Sequence, residues 1–171
     1  MGLQLRTTAG EKEEFSMEEQ RAGHVLEQEI CDRAGAYFGN GYHCAEAVVA
    51  AVLAGTGQEA SMAIAHATAF GGGFGKTYEE TCGALSGAMI VIGHLHGRRE
   101  LGDNWDLPAE LGAAIRQMFV DRFDTTHCRT LREGFGDEAQ MDQCRNIVRH
   151  VTCDLLALLE ISPRPLIVSG Q

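Results

Sequence analysis

Four of the six cysteines are the residues with the clearest chemical potential in this chain. Cys44, Cys82, Cys128 and Cys144 each fall within or at the start of a predicted helix. A thiolate is both a soft metal ligand and a sulfur nucleophile, so thiols that a fold brings together can hold a metal or exchange electrons as a dithiol. The gaps between these cysteines are long and contain no C-x-x-C pair, so any shared site must be assembled by tertiary structure.

Composition is typical of one globular domain. The chain has 171 residues, of which 44% are hydrophobic, and this is enough to bury a core. A formal charge of −10 repels phosphate backbones and anionic lipid, so neither nucleic acid nor a membrane is an expected partner.

The first residues, Met1–Glu14, lack the apolar core of a signal peptide, and we therefore expect a cytoplasmic protein. In that reducing compartment, cysteines at this density favour metal binding or catalysis over structural disulfides.

The hydrophobic pattern predicts an all-α fold, a single-domain bundle of about six helices with a central apolar helix. We expect the domain to cover residues 15–161, after a flexible acidic leader (1–14) and before a C-terminal tail (162–171). The capping-box pattern at Ser16–Glu19 marks the start of the first helix. The last helix carries an apolar stripe that begins at Cys144 and ends before the prolines of the tail.

The segment around Cys82 is predicted to form the centre of the bundle. A second capping-box pattern, Thr77–Glu80, predicts a helix that opens there and carries Cys82 in its early turns. The following residues, 84–95, are apolar on nearly every side but fall short of the about 20 residues that span a bilayer. Gly83 and Gly87 remove side-chain bulk from one stripe, which lets a neighbouring helix approach closely and helps bring thiols together.

Two histidines precede site cysteines, as His43-Cys44 and His127-Cys128. An imidazolium beside a thiol could lower its pKa or supply a further ligand, although capping or solvated histidines are the default interpretation.

The glycine-rich stretch from Phe70 to Thr77 comes within one residue of the phosphate-binding pattern G-x-x-x-x-G-K-[ST]. Phe70 stands where the first glycine belongs, and the preceding segment is predicted to be helical instead of a strand. Glycines that let the backbone turn tightly beside Cys82 are therefore the favoured interpretation.

These motifs resemble those of the redox-active C_GCAxxG_C_C family. The segment Tyr42–Val48 is similar to the family's first cysteine at a helix start, and Phe70–Gly75 followed by Thr81–Ala88 is similar to its central signature. Cys128 and Cys144 then follow in the family's order. The resemblance covers about residues 30–159 and implies a helical module with a redox or iron–sulfur role.

The remaining cysteines are not assigned to the site. Cys153 lies nine residues after Cys144, about half a turn away on an ideal helix, and should face elsewhere. The family pattern does not call for Cys31.

Three functions remain open for Cys44, Cys82, Cys128 and Cys144. In the leading one they are thiolate ligands of an iron–sulfur cluster or other metal, with Gly83 and Gly87 beside the cofactor, and the protein transfers electrons to a redox partner protein as an oxidoreductase component. In the second they carry out metal-free thiol–disulfide exchange, in which one helix-start thiolate attacks and another resolves the mixed disulfide. In the third the bundle is an interaction or homo-oligomerisation module with inert cysteines.

Overall fold

The computed structural model of the chain describes residues 9–159, which form seven α-helices and no strand. In chain order these are α1 (Ala9–Tyr37), α2 (Cys44–Gly55), α3 (Ser61–Ala67), α4 (Gly83–His96), α5 (Asp106–Phe123), α6 (Cys128–Phe135) and α7 (Gln140–Leu159). A 3-10 turn, Thr68–Phe70, extends α3. The predicted all-α class is confirmed. Within residues 9–159, none of the helices combines the length and apolarity that crossing a bilayer requires.

Helix α1 begins before its predicted start. It opens at Ala9 and not at the capping-box pattern of Ser16–Glu19. The intervening run Glu11–Glu14 contains only glutamate and lysine, whose helix propensity is high, so the helix extends through it. Residues 1–8 of the predicted leader and the whole predicted tail, 162–171, lie outside the described residues.

Helices α2 and α4 share the centre of the bundle. Every residue of α2 from Ala45 to Leu53 is buried, and so is every residue of α4 from Gly83 to Ala88. Helix α4 is the central apolar helix that the sequence predicts, and α2 lies directly against it. The amphipathic helices α1, α5 and α7 pack around this pair and supply much of the remaining core, with Ile115, Phe119, Ile147, Val151 and Leu155 among the buried side chains.

Two glycines allow α4 to touch the backbone of α2. A Cβ atom added at Gly87 would lie 2.6 Å from the carbonyl oxygen of Ala45, which is too close for any side chain. A Cβ atom at Gly83 would collide with the Sγ of Cys44. The close approach predicted from these glycines is therefore present, and it occurs where the first cysteine lies.

Alanine at Gly87 should destabilise the protein, whereas alanine at Gly93 of the same helix should stabilise it. The added methyl group at Gly87 meets fixed backbone, while nothing lies within 4 Å of one at Gly93. We expect Gly93→Ala to stabilise the fold by about 0.5–1 kcal/mol through helix propensity and Gly87→Ala to cost about 1–3 kcal/mol through overpacking. Urea unfolding followed by circular dichroism measures both values. A stabilising Gly87→Ala would contradict the packing argument.

A disulfide joins α1 to α7. It links Cys31 to Cys153, whose Cα atoms are 5.5 Å apart and therefore within the usual disulfide range. An ion pair between Asp32 and Arg149 joins the same two helices beside it. The expectation that the cysteines would not form a structural disulfide is wrong for this pair, because α1 and α7 pack with the two residues directly opposite each other. The four other cysteines are free.

The disulfide should contribute measurably to stability because it closes a loop with a sequence separation of 122 residues. We expect the double variant Cys31→Ala, Cys153→Ala to lose about 2–4 kcal/mol of unfolding free energy under non-reducing conditions. Adding a reductant should lower the stability of the wild type but not that of the double variant, which serves as the control. Thermal melts with and without reductant make the comparison. A wild-type melt that does not respond to reductant, together with two titratable thiols at these positions, would show that the bond is absent in solution.

Candidate functional site

The four free cysteines line one cavity of about 400 Å³. Cys82 and Cys128 are buried, whereas Cys44 and Cys144 are half-buried at its wall. The structure thus brings together the four cysteines that the sequence singled out, and neither Cys31 nor Cys153 is among the lining residues. Gly83 and Gly87 lie behind this wall, between α4 and α2, where they set the packing distance.

Three of these cysteines lie at the N-terminal ends of helices. Cys44 is the first residue of α2, Cys128 is the first residue of α6, and Cys82 caps α4. Cys144 lies early in α7. The N-terminal end of a helix carries a partial positive charge, which stabilises a thiolate relative to a thiol. The starts of α2, α4 and α6 therefore favour negative charge at three of the four sulfur atoms.

Backbone hydrogen bonds hold the starts of α4 and α6 together. The N–H of Cys82 donates to the carbonyl oxygen of Thr126 at 2.7 Å, and the N–H of Cys128 donates to the carbonyl oxygen of Glu80 at 2.9 Å. These bonds form a short antiparallel bridge between the two segments that precede the helices. Cys82 and Cys128 are therefore neighbours through their main chains and not only through side-chain packing.

Both histidines that precede site cysteines cap helices. The Nδ1 of His127 accepts a hydrogen bond from the N–H of Thr130, and its Nε2 lies 2.7 Å from the carbonyl oxygen of Glu79. Both ring nitrogens of His127 are thus engaged in fixing the start of α6. His43 is the N-cap residue of α2, where its backbone N–H donates to Glu46 at 2.8 Å, and it lines the cavity.

The glycine-rich stretch forms a left-handed turn. Five consecutive residues from Gly72 to Lys76 have φ between 60° and 63°, and Tyr78 has φ of 64°. Helix α4 starts only at Gly83, so the helix start predicted at Thr77–Glu80 is wrong. The glycines explain the difference, since a Cβ atom at Gly73 would lie 2.8 Å from the Cβ of Cys128 and the chain must pass there without a side chain.

This turn places two residues with side chains on the cavity wall. Lys76 and Tyr78 adopt a positive φ that disfavours residues with a Cβ atom, and hydrogen bonds hold them there. The N–H of Lys76 donates to Gly71 at 3.2 Å, and the N–H of Tyr78 donates to Gly72 at 2.9 Å. The segment before the turn is helical, which confirms the prediction from the sequence. A phosphate-binding loop follows a strand, so its structural context is missing here.

Several residues of the cavity were not predicted. Helix α6 is too short for a periodic pattern to be recognised, and its Arg132 lies on the cavity wall with the guanidinium 4.0 Å from the centre of the Tyr78 ring. One signal was present, because Arg132 follows Cys128 by four residues and therefore shares its helix face. Lys76 and Tyr78 gave no comparable signal. Apolar side chains from neighbouring segments complete the wall, namely Phe38, Tyr42 and Met141.

Burial, followed by the charge of Cys44, raises the pKa values of Cys82, Cys128 and Cys144 and so favours their protonated form. Burial raises the pKa of the Cys82 thiol well above its ordinary value, and the charge of Cys44 adds to the rise. The pKa of Cys128 is raised by the same two causes in the same order. Burial, followed by the charge of Cys44, raises the pKa of Cys144 to about 11, while the nearby Arg132 acts in the opposite direction. A positively charged group in the cavity would remove this repulsion and favour thiolates.

In the reduced, metal-free protein, Cys144 should therefore react with alkylating reagents only in alkaline solution. The thiolate is the reactive form, so the alkylation rate follows the thiolate fraction and decreases as pH falls below the pKa. We expect half-maximal alkylation of Cys144 by iodoacetamide near pH 11, compared with about 8.5 for an unperturbed thiol. Mass spectrometry of peptides after timed labelling at each pH measures the alkylation rate of Cys144. A midpoint at the unperturbed value would mean that burial does not control this thiol.

The donor set of the cavity fits a thiolate-bound group in its chemistry. Four thiols face one space, and thiolates are the ligands of iron–sulfur clusters. In the part of the chain that the structure describes, no three His, Cys, Asp or Glu side chains are placed to hold a metal ion between them. The cavity therefore offers thiolate ligand chemistry without a preformed position for one metal ion among the described residues.

A family model matches most of the chain. The family described as "Putative redox-active protein (C_GCAxxG_C_C)" matches residues 42–156, a span that contains all four cavity cysteines and leaves out Cys31. Neither a curated protein nor a solved structure gives a significant match to the chain.

Proposed function

The chain belongs to the redox-active C_GCAxxG_C_C family, and from this premise we propose that its four free cysteines work together as one thiol redox centre. The observation that carries the proposal is their convergence on a single cavity from four different helices. Residues that only fill a core are packed on every side, whereas these thiols border open space. Inert packing is therefore the least favoured of the three functions considered from the sequence.

The first candidate for this centre is an iron–sulfur site with an electron-transfer role. Cys44, Cys82, Cys128 and Cys144 would supply the thiolate ligands. When bound, such a group supplies one-electron transfer at a potential tuned by burial and hydrogen bonding. The chain's own contribution is to hold three of the four thiols at helix N-termini, to shield two of the four from solvent, and to place Arg132 where its charge lowers the pKa of Cys144. The electrons would pass to a redox partner protein.

The second candidate is metal-free thiol–disulfide exchange. It is favoured by the proximity of Cys44 to the start of α4, where its Sγ occupies the space that a side chain at Gly83 would need. One thiolate of the pair Cys44 and Cys82 would attack a substrate disulfide, forming a mixed disulfide and releasing one substrate thiolate. The second thiol, after losing its proton, would attack the mixed disulfide and release the other substrate thiolate. The substrate disulfide gains two electrons, and the protein is left with a Cys44–Cys82 disulfide.

Removing the central cysteine tests the centre. We expect Cys82→Ala to abolish the visible absorption and the iron and sulfide content obtained by anaerobic reconstitution, while circular dichroism shows a folded bundle, because only three thiolate ligands remain in the cavity. The double variant Cys31→Ala, Cys153→Ala is the matched control, since it removes two cysteines that do not line the cavity. It should reconstitute like the wild type.

The same preparations distinguish the candidates. A wild type that takes up no iron but reversibly loses two titratable thiols on oxidation, with the loss absent in Cys82→Ala, would replace the iron–sulfur site by dithiol chemistry. If Cys82→Ala equals the wild type in both measurements, Cys82 is a packing residue and the proposal of a shared centre is refuted.

A further inference from the structure

The cysteine cavity is lined by basic and not by acidic side chains. Lys76 and Arg132 are among its lining residues, together with His43, and within residues 9–159 no aspartate or glutamate lines it. This contrasts with the whole chain, which has 24 acidic and 14 basic residues. A random sample of the surface of such a protein would be predominantly negative, so the cavity has a local charge opposite to that of the molecule.

Both basic side chains lack an acidic partner. Four other arginines in the described residues form ion pairs with carboxylates, at Arg122–Asp154, Arg129–Glu79, Arg145–Asp142 and Arg149–Asp32. In the same part of the chain, no carboxylate lies within ion-pair distance of Lys76 or Arg132. Their charges are therefore free to act on whatever enters the cavity.

The fold also holds these two residues in place. The guanidinium of Arg132 lies over the ring of Tyr78 at 4.0 Å, which limits its movement through a cation–π contact. Lys76 lies at the end of the left-handed turn, in a conformation that disfavours a residue with a Cβ atom. Strained backbone of this kind is common at binding sites.

We propose that Lys76 and Arg132 make the cavity a binding site for a small anionic disulfide that carries carboxylate groups. A cysteine thiolate of the cavity attacks its S–S bond, forms a mixed disulfide and releases one half of the substrate as a thiolate. The volume of about 400 Å³ falls within the range of roughly 300–1,000 Å³ usual for small-molecule sites. Phe38, Tyr42 and Met141 give the ligand an apolar wall. The inference rests on the thiol-exchange form of the proposed function and adds the charge of the substrate to it.

Two disulfides of similar size and different charge test the proposal. Dithiobis(nitrobenzoate) is a dianion and dithiodipyridine is neutral, and each releases a coloured thiol when a cysteine thiolate attacks it and forms a mixed disulfide. The measurement is the ratio of the two second-order rates on reduced, metal-free protein. Because both reagents react with the same thiolates, this ratio does not depend on how much thiolate each variant contains.

We expect the ratio of anionic to neutral rate to fall about three- to tenfold in Arg132→Gln and in Lys76→Gln, since each removes one attracting charge. The matched control is Arg98→Gln, which changes the net charge equally at an exposed position that does not line the cavity. Its ratio should stay within about a factor of two of the wild type. Lys76 is exposed, so Lys76→Gln keeps the test valid should Arg132→Gln fail to fold.

Ratios in Lys76→Gln and Arg132→Gln that equal the control would overturn the proposal while leaving the thiol centre intact. The proposed function fails differently. In that case mass spectrometry of the labelled peptides shows that neither disulfide modifies the cavity cysteines of the wild type. There is then no ratio of rates for the charge variants to change.

Discussion

The contact between the backbones of α2 and α4 is the constraint on which the rest of the site depends. Gly87 lies against Ala45, and Gly83 leaves room for the sulfur of Cys44, so the N-terminal ends of two buried helices meet. Cys44 and Cys82 are brought together by this meeting. Cys82 in turn fixes Cys128 through the hydrogen bonds between the segments that precede α4 and α6. Helix α7 packs on both central helices and adds Cys144.

Sequence patterns predicted the parts of the fold that depend on local periodicity. The apolar stripes of α2 and α7 and the small residues around Gly87 were sufficient to predict helices, a buried centre and a close contact. The convergence of four cysteines could be expected only from the family resemblance, because their separations in sequence hold no geometric information. The disulfide between Cys31 and Cys153 depends on the packing of α1 against α7, and no local pattern encodes that packing.

The left-handed turn could not be predicted for a different reason. Thr77–Glu80 has the composition of a helix start, and propensity alone favours a helix there. Tertiary contacts override that preference, because the chain must pass within van der Waals distance of Cys128 at Gly73 and then bond to the segment before α6. The conflict between local preference and observed conformation falls on the cavity wall, which is where functional sites commonly carry strain.

The positive cavity remains effective within a negative molecule because screening depends on distance. At physiological ionic strength the Debye length is about 8 Å, so carboxylates elsewhere on the surface are largely screened from a ligand inside the cavity. Arg132 and Lys76 line the cavity itself, so their charges would be screened far less from an anion inside it. Arg132 also lowers the pKa of Cys128 and of Cys144, against the larger effect of burial, which raises both. In the proposed reaction, Arg132 would therefore both attract the anionic substrate and favour ionisation of Cys128 and Cys144.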